Sequence, residues 1–372
     1  MKLSIERAAL LKSLTHVQNV VERRTTIPIL SNVKLQAVGD ELVLTATDMD
    51  LSLAAREAAA VGRQGATTVS AHLLFDIVRK LPEGSTIALE QPAEGGELTV
   101  RAGRSTFNLP TLPADEFPPM GEEKLDVAFV IPAKELARLI DKSRFAISTE
   151  ETRYYLNGIH FHATKGGAAA MMRGVATDGH RLARVEVGLP EGAAAMPAVI
   201  VPRKTVGEIR KLIDGVTDEV GVSVSASRIQ VVVGRAILVS RLIDGTFPDY
   251  ERVIPSGNDK TATLQAKEFA AAVDRVATIS TEKMRAVKLA FQGGKVTVSA
   301  VSAEAGRAVE EIDAEYAGPP IEIGFNARYI LDIMAEIDGQ EVRLEMANAA
   351  APTVIREPAD SSTLYVLMPM RV

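Results

Sequence analysis

The chain has 372 residues, 47% of them apolar and 24% charged, enough to build packed cores and to exclude wholesale disorder. It contains no cysteine, which removes disulfides, thiol catalysis and Cys-based metal sites and fits a reducing compartment. The formal net charge of −6 does not announce a nucleic-acid binder, and aromatics at 4% with no tryptophan argue against a stacking platform as the main theme. No apolar run reaches the length of a membrane span, and charge enters at Lys2, Glu6 and Arg7, too early for a signal peptide.

In chain order, the first predicted element is a strand at 2–5 leading into a helix with Leu10, Leu14, Val17 and Val21 on one face. The same step recurs at 127–131, followed by Leu136 and Ile140, and at 261–265, followed by Phe269 and Val273. A second feature recurs in register. Gly39-Asp40, Gly166-Gly167 and Gly293-Gly294, spaced by 127 residues, each separate two alternating runs and read as hairpin turns. The strands before them are 33–37, 158–162 and 287–291. A third feature is another strand–helix step: 67–69 into Leu74, Val78 and Leu81; 199–201 into Val206, Ile209 and Leu212; 321–323 into Ile330, Ile333 and Ile337. Gly84, Gly215 and Gly339 mark the helix stops. Each copy closes with a β-rich stretch, at 105–109, 237–242 and 364–367. Turn-rich junctions at 118–121 and 255–258 divide the chain into 1–125, 126–253 and 254–372, each with two helices and about eight strands.

Enzyme motifs are missing from the sequence. There is no phosphate-binding G-x-x-x-x-G-K-[ST], no G-x-G-x-x-G after a strand and no G-x-S-x-G elbow. His160 and His162 share one face of a strand, as two metal ligands would, with no third ligand suggested nearby. Asp178-Gly179-His180 is the most chemical-looking segment. It reads as an acid/base pair or, more plainly, as an Asp-Gly turn lining a surface groove.

The chain resembles the bacterial DNA polymerase III beta subunits, the replicative sliding clamps, from Lys2 to Val372. The stretches that carry the resemblance are Thr26-Ile-Pro-Ile-Leu30, Arg153-Tyr-Tyr-Leu-Asn-Gly158, Ala176-Thr-Asp-Gly-His-Arg-Leu-Ala183, Val199-Ile-Val-Pro-Arg-Lys204, Asp244-Gly-Thr-Phe-Pro-Asp-Tyr250, Ile323-Gly-Phe-Asn326 and Tyr365-Val-Leu-Met-Pro-Met-Arg371. It implies an α+β fold of three repeated clamp-type domains, each with two helices on antiparallel sheets, forming a head-to-tail homodimeric ring around duplex DNA. Helices are ~10 Å across, so six side by side close at a diameter of ~19 Å and twelve at ~38 Å. Only the dimer's twelve leave room for a duplex. The helical windows 6–24, 72–80, 133–144, 203–214, 267–285 and 327–338 hold 19 Lys/Arg against 13 Asp/Glu, a basic lining in an acidic chain.

The resemblance also implies residue roles. DNA contacts fall at Arg24, Arg79, Tyr154, Tyr155 and Arg203, with Arg23 and Lys204 beside them. Phosphate contacts of this kind carry no sequence specificity. His72, Leu73, Thr149 and Glu150 depart from familiar members near this face. The pocket for a partner's linear peptide falls on Leu156, Thr177, Gly179, His180, Arg181 and Leu182. It continues on Pro248, Arg252 and Val253, then Asn326 and Tyr329, and ends on Val366, Met368, Pro369, Met370 and Arg371. Met284 stands where familiar members place a Phe. The dimer contact is expected to join Arg104 and Phe107 of one chain to Thr278, Ile279 and Glu304 of another, with Gly306 and Arg307 as departures. The implied partners are a second copy, double-stranded DNA, a clamp loader, and replicative and repair polymerases. No cofactor and no membrane are implied, and the place of action is the cytoplasm, on the nucleoid. Two other readings stay open at this level: a repeat-built enzyme centred on Asp178 and His180, and a structural ring with no DNA inside.

Overall fold

The structure, a computed structural model, describes residues 1–120, 124–164, 169–280 and 285–371. The expected turn at Gly166-Gly167, Gly121 of the first junction, Met284 and Val372 lie outside the described residues.

Among the described residues, six α-helices each follow directly on a strand: α1 Arg7–Val20, α2 Ala71–Lys80, α3 Ala133–Arg144, α4 Arg203–Leu212, α5 Ala266–Ala277 and α6 Ala327–Met334. Their apolar spacing fixes which face is buried. α1 buries Leu10, Leu14, Val17 and Val20, and α5 buries Phe269, Ala272, Val273 and Val276. α2 and α4 end in the basic pairs Arg79-Lys80 and Arg210-Lys211, which complement the negative end of the helix dipole. α1 packs on α2, and α5 on α6.

The chain divides into two compact units. The first comprises Met1–Lys134, Pro190–Pro197 and Lys204–Leu242. It holds a five-stranded sheet in the order Ala60–Arg63, Lys2–Glu6, Thr86–Glu90, Leu98–Ala102, Ser105–Leu109. Its second sheet has nine strands, in the order Thr111–Leu112, Gly65–Ser70, Asn32–Val38, Glu41–Thr47, Leu51–Ala58, Ala236–Arg241, Arg228–Val233, Glu219–Val224, Val127–Pro132. The second unit comprises Glu135–Leu189, Ala198–Arg203 and Ile243–Val372. Its eight-stranded sheet runs Val199–Pro202, Gly158–Ala163, Met171–Thr177, Arg181–Gly188, Thr363–Leu367, Thr353–Arg356, Glu341–Met346, Lys260–Gln265. Its four-stranded sheet runs Gly306–Asp313, Lys295–Ser302, Ala286–Gln292, Ile321–Asn326. All strand pairs are antiparallel.

Within each unit one sheet joins strands that are distant in sequence. Leu51–Ala58 pairs with Ala236–Arg241, placing Leu53 opposite Leu238. Arg181–Gly188 pairs with Thr363–Leu367, placing Leu182 opposite Val366. These are equivalent steps: in both, the strand after an Asp-containing turn, 48–50 or 178–180, accepts the last hairpin strand of the following repeat. The third equivalent strand, Gly306–Asp313, is the edge of its sheet, and Ser105–Leu109 is likewise an edge.

Two details depart from the sequence reading. The first third carries two short strands beyond the expected eight, Ala60–Arg63 and Thr111–Leu112. α6 ends at Met334, before the expected stop at Gly339. The hairpin turns hold at Gly39 and Gly293, both at φ +59, a left-handed conformation that favours glycine.

Candidate functional site

In the second unit the buried cluster Leu156, Val175, Leu182, Ile200, Phe247, Tyr250, Val354, Leu364 and Val366 opens to solvent as a cavity of about 320 Å³. The 3-10 turn Glu151–Leu156 supplies Arg153, Tyr155 and Leu156, and the turn Tyr250–Val253 supplies Tyr250 and Val253. The paired strands supply Thr177, Leu182 and Val366, with Gly179, Arg181, Pro248, Asp249 and Met368 completing the wall. Val253 and Met368 are 50% and 40% exposed, so apolar side chains face water at the mouth of an apolar hollow.

Of the residues expected in a peptide pocket, Leu156, Thr177, Gly179, Arg181, Leu182, Pro248, Val253, Val366 and Met368 line this cavity. His180 and Tyr329 line an adjoining polar cavity of about 450 Å³ together with Thr149, Glu150, Arg203 and Arg328. The other five line neither cavity. Arg252 is exposed and pairs with Asp249 at 2.7 Å. Asn326 caps α6, its side-chain oxygen accepting from Arg328 N at 3.0 Å. Met370 donates its N–H to Gly324 O at 2.8 Å. Pro369 is half-buried and Arg371 exposed. Sequence reasoning missed Arg153, Asp249 and Tyr250 as wall residues and read Tyr155 toward DNA. The signal was present, since all four sit inside stretches that carry the family resemblance.

The turn before Arg181 explains its Asp-Gly. Asp178 Oδ1 accepts from His180 N at 2.9 Å and Arg181 N at 3.0 Å, and Oδ2 accepts from Arg181 Nε at 3.0 Å. The carboxylate is therefore committed to the turn and to a guanidinium, not to the imidazole of His180. That imidazole stacks on Tyr329 at 6.1 Å instead. Arg181 also donates Nη1 to Asp332 at 2.5 Å and Nη2 to Phe145 O at 2.8 Å, and its guanidinium lies over the Tyr329 ring at 4.4 Å.

Behind the pocket wall, Tyr250 Oη meets His162 Nε2 at 3.0 Å and accepts from Arg173 Nη1 at 3.0 Å. His160 stacks flat on Phe247 at 4.7 Å. Burial, reinforced by the charge of His162, pushes the His160 imidazole down to about 4. The unfolded chain then takes up a proton near the ordinary histidine value while the folded unit stays neutral. Stability is full above that value and falls as pH drops toward 4, by about 3 kcal/mol for a shift of this size. Chemical denaturation from pH 7 to 4 is expected to show this loss, and His160→Phe, which keeps the stack, to reduce it. Among the described residues, no group of three or more His, Asp or Glu side chains is placed to hold a metal.

In the first unit, Arg24 is exposed just beyond α1, and Arg79 is exposed in the last turn of α2, 3.0 Å from Asp76. In the second, Arg203 is exposed, Tyr154 is 53% exposed and Tyr155 is half-buried against the apolar cluster. Lys204 is engaged: it donates to Val20 O at 2.9 Å and pairs with Asp48 at 2.6 Å and with Glu22. At two of the sheet edges the expected dimer residues are found: Phe107 is half-buried on Ser105–Leu109, with Arg104 exposed in the turn before it. On the edge strand Gly306–Asp313, Val309 is 59% exposed, and Glu304 is exposed in the turn before it. Thr278 and Ile279 follow α5, exposed and half-buried respectively.

Comparison with known proteins places these features in one context. Three family models match in succession: the DNA polymerase III beta subunit N-terminal domain over residues 1–121, the central domain over 130–249 and the C-terminal domain over 251–371. The chain is 52% identical over 372 residues to the beta sliding clamp of Caulobacter vibrioides and 39% identical over 373 residues to that of Escherichia coli K12, covering 100% of each chain. A crystal structure of the C. crescentus beta sliding clamp superposes with a TM-score of 0.96 at 52% identity, over 100% of both chains. That of the Bartonella birtlesii sliding clamp bound to griselimycin superposes with a TM-score of 0.97 at 43% identity, over 100% of both chains.

Proposed function

This chain belongs to the DNA polymerase III beta subunit family, the beta sliding clamps, and we propose that two copies close head to tail into a ring that slides on duplex DNA. The ring is non-catalytic and tethers replicative and repair polymerases through a linear peptide. It is built from three clamp domains per chain, 1–125, 126–253 and 254–372.

The observation that carries this reading is a pairing rule that leaves two edge strands without a mate. Each unit contains one antiparallel joint between successive repeats, and Gly306–Asp313 and Ser105–Leu109 are the two strands left over by the same rule. Unpaired strand edges are templates for further pairing. A second copy satisfies both at once, because a heterologous contact that closes on itself forms a ring rather than a filament. Phe107 and the residues around Thr278, Ile279 and Glu304 would then lie at the joint, with Arg104 opposite acidic side chains. Gly306 and Arg307 lie on this edge strand, making its joint less acidic than in familiar members.

The exposed cations Arg24, Arg79 and Arg203 suit phosphate contact, and Tyr154 offers an aromatic edge to sugars or bases. The half-buried Tyr155 supports the pocket wall more than the DNA face. Contacts of this kind read no sequence, which suits a protein that must slide. The apolar cavity, with methionine and valine at its mouth, suits leucine or phenylalanine anchors of a partner peptide. Closure around DNA requires an ATP-driven loader, and the work is done in the cytoplasm on the nucleoid.

The test is topological. Protein loaded onto nicked circular DNA with a matching loader and ATP is expected to stay on the circle and to be released when the circle is cut. Equal retention before and after cutting would mean ordinary contact binding and would sink the ring.

A further inference from the structure

At the junction of the apolar and polar cavities, Glu150 grips Arg153 by one edge. Arg153 Nε donates to Glu150 Oε2 at 2.8 Å and Nη2 donates to Oε1 at 2.5 Å. Arg153 belongs to the apolar cavity's wall and Glu150 to the polar one's. The guanidinium lies over bare backbone, since a Cβ on Gly179 would stand 2.6 Å from Arg153 Nη1. Arg153 itself sits at φ −109, ψ 48, outside helical values within its 3-10 turn. Among the described residues Nη1 has no acceptor, while the neighbouring acids are committed: Asp178 to Arg181 and Asp249 to Arg252.

A guanidinium carries five donors in a planar fork, so one edge can be held while the other stays available. On the reading that this cavity takes a partner peptide, we propose that Glu150 is a positioning and specificity-determining residue. It fixes Arg153 so that Nη1 is aimed at an acceptor of the peptide, a backbone carbonyl or a side-chain amide, and it cuts the advantage that a carboxylate would otherwise have at that place. Arg153 and Glu150 together are neutral. A carboxylate on the free edge still lies nearer to the guanidinium than to Glu150, but the charge of Glu150 cancels part of that attraction, by roughly three- to tenfold in affinity at a solvent-facing site.

The probes are two capped hexapeptides with the same leucine and phenylalanine anchors, one with Asn and one with Asp beside the anchor. Fluorescence polarisation on the full-length protein is expected to show the Asn and Asp peptides binding within about threefold of one another at low salt. Glu150→Gln is expected to shift the Asp-to-Asn affinity ratio toward the Asp peptide by roughly three- to tenfold at low salt and by less at high salt, with an unchanged thermal midpoint. Arg153→Gln is expected to weaken both peptides. If both peptides bind and Glu150→Gln discriminates as the parent does, the role of Glu150 is overturned while the pocket stands. If neither peptide binds the parent protein, the peptide-pocket reading falls and takes this inference with it.

Discussion

Arg181→Ala is expected to lower the stability of the second unit by about 3 kcal/mol and to abolish peptide binding. The Arg181 side chain is only 9% exposed and satisfies two carboxylates and a carbonyl at once. Removing one partner of a buried pair costs ~3–5 kcal/mol because the other is left uncompensated. Asp332 is 33% exposed at its side chain and regains some water, which favours the low end. Arg181 also lines both cavities, so its loss removes part of each wall and frees the turn that holds Gly179. Arg181→Lys keeps the charge but not the fork and is expected to fall between the two. Chemical denaturation and a fluorescent peptide titration read the two effects separately. An unchanged denaturation midpoint for the alanine variant would contradict the anchoring role.

Phe107→Asp is expected to convert the dimer into a monomer. The mass by light scattering would fall from about twice 39.8 kDa to 39.8 kDa. A phenylalanine buried at the joint contributes about 3 kcal/mol, and the ring repeats every contact twice. The penalty is therefore about 6 kcal/mol, some four decades in dissociation constant. Val100, opposite Phe107 on the neighbouring strand, is fully buried, so some strain inside the protomer would accompany this change. A charge swap at exposed positions separates the two effects. Arg104→Glu alone is expected to weaken the dimer, and the added Glu304→Arg to restore part of it. A Phe107→Asp protein that remains dimeric would remove this edge from the interface.

What the sequence by itself determined is local. Apolar spacing alone placed the six helices, because the buried stripe of α1 or α5 is written at every third or fourth residue. The hairpins at Gly39 and Gly293 were legible because a left-handed turn admits few residues besides glycine. The family stretches also marked nearly every side chain of the cavity wall, through Arg153–Gly158, Asp244–Tyr250 and the last strand.

What only the tertiary structure decided is partnership. Antiparallel pairing runs through backbone groups that all residues share, so nothing in Leu51–Ala58 or Arg181–Gly188 names its mate at Ala236–Arg241 or Thr363–Leu367. The same holds for charges. Lys204 and Arg203 are neighbours in sequence, yet one is held by Asp48 and Glu22 while the other stays exposed. Asn326, expected in the partner pocket, also caps α6. Glu150 and Arg153, three residues apart in a kinked turn, form a single oriented donor beside Gly179, where a Cβ would crowd the guanidinium. Periodicity records which side of an element faces the core. Which element arrives there, and which charge finds an opposite one, depends on chain closure over more than a hundred residues, and no local pattern encodes it.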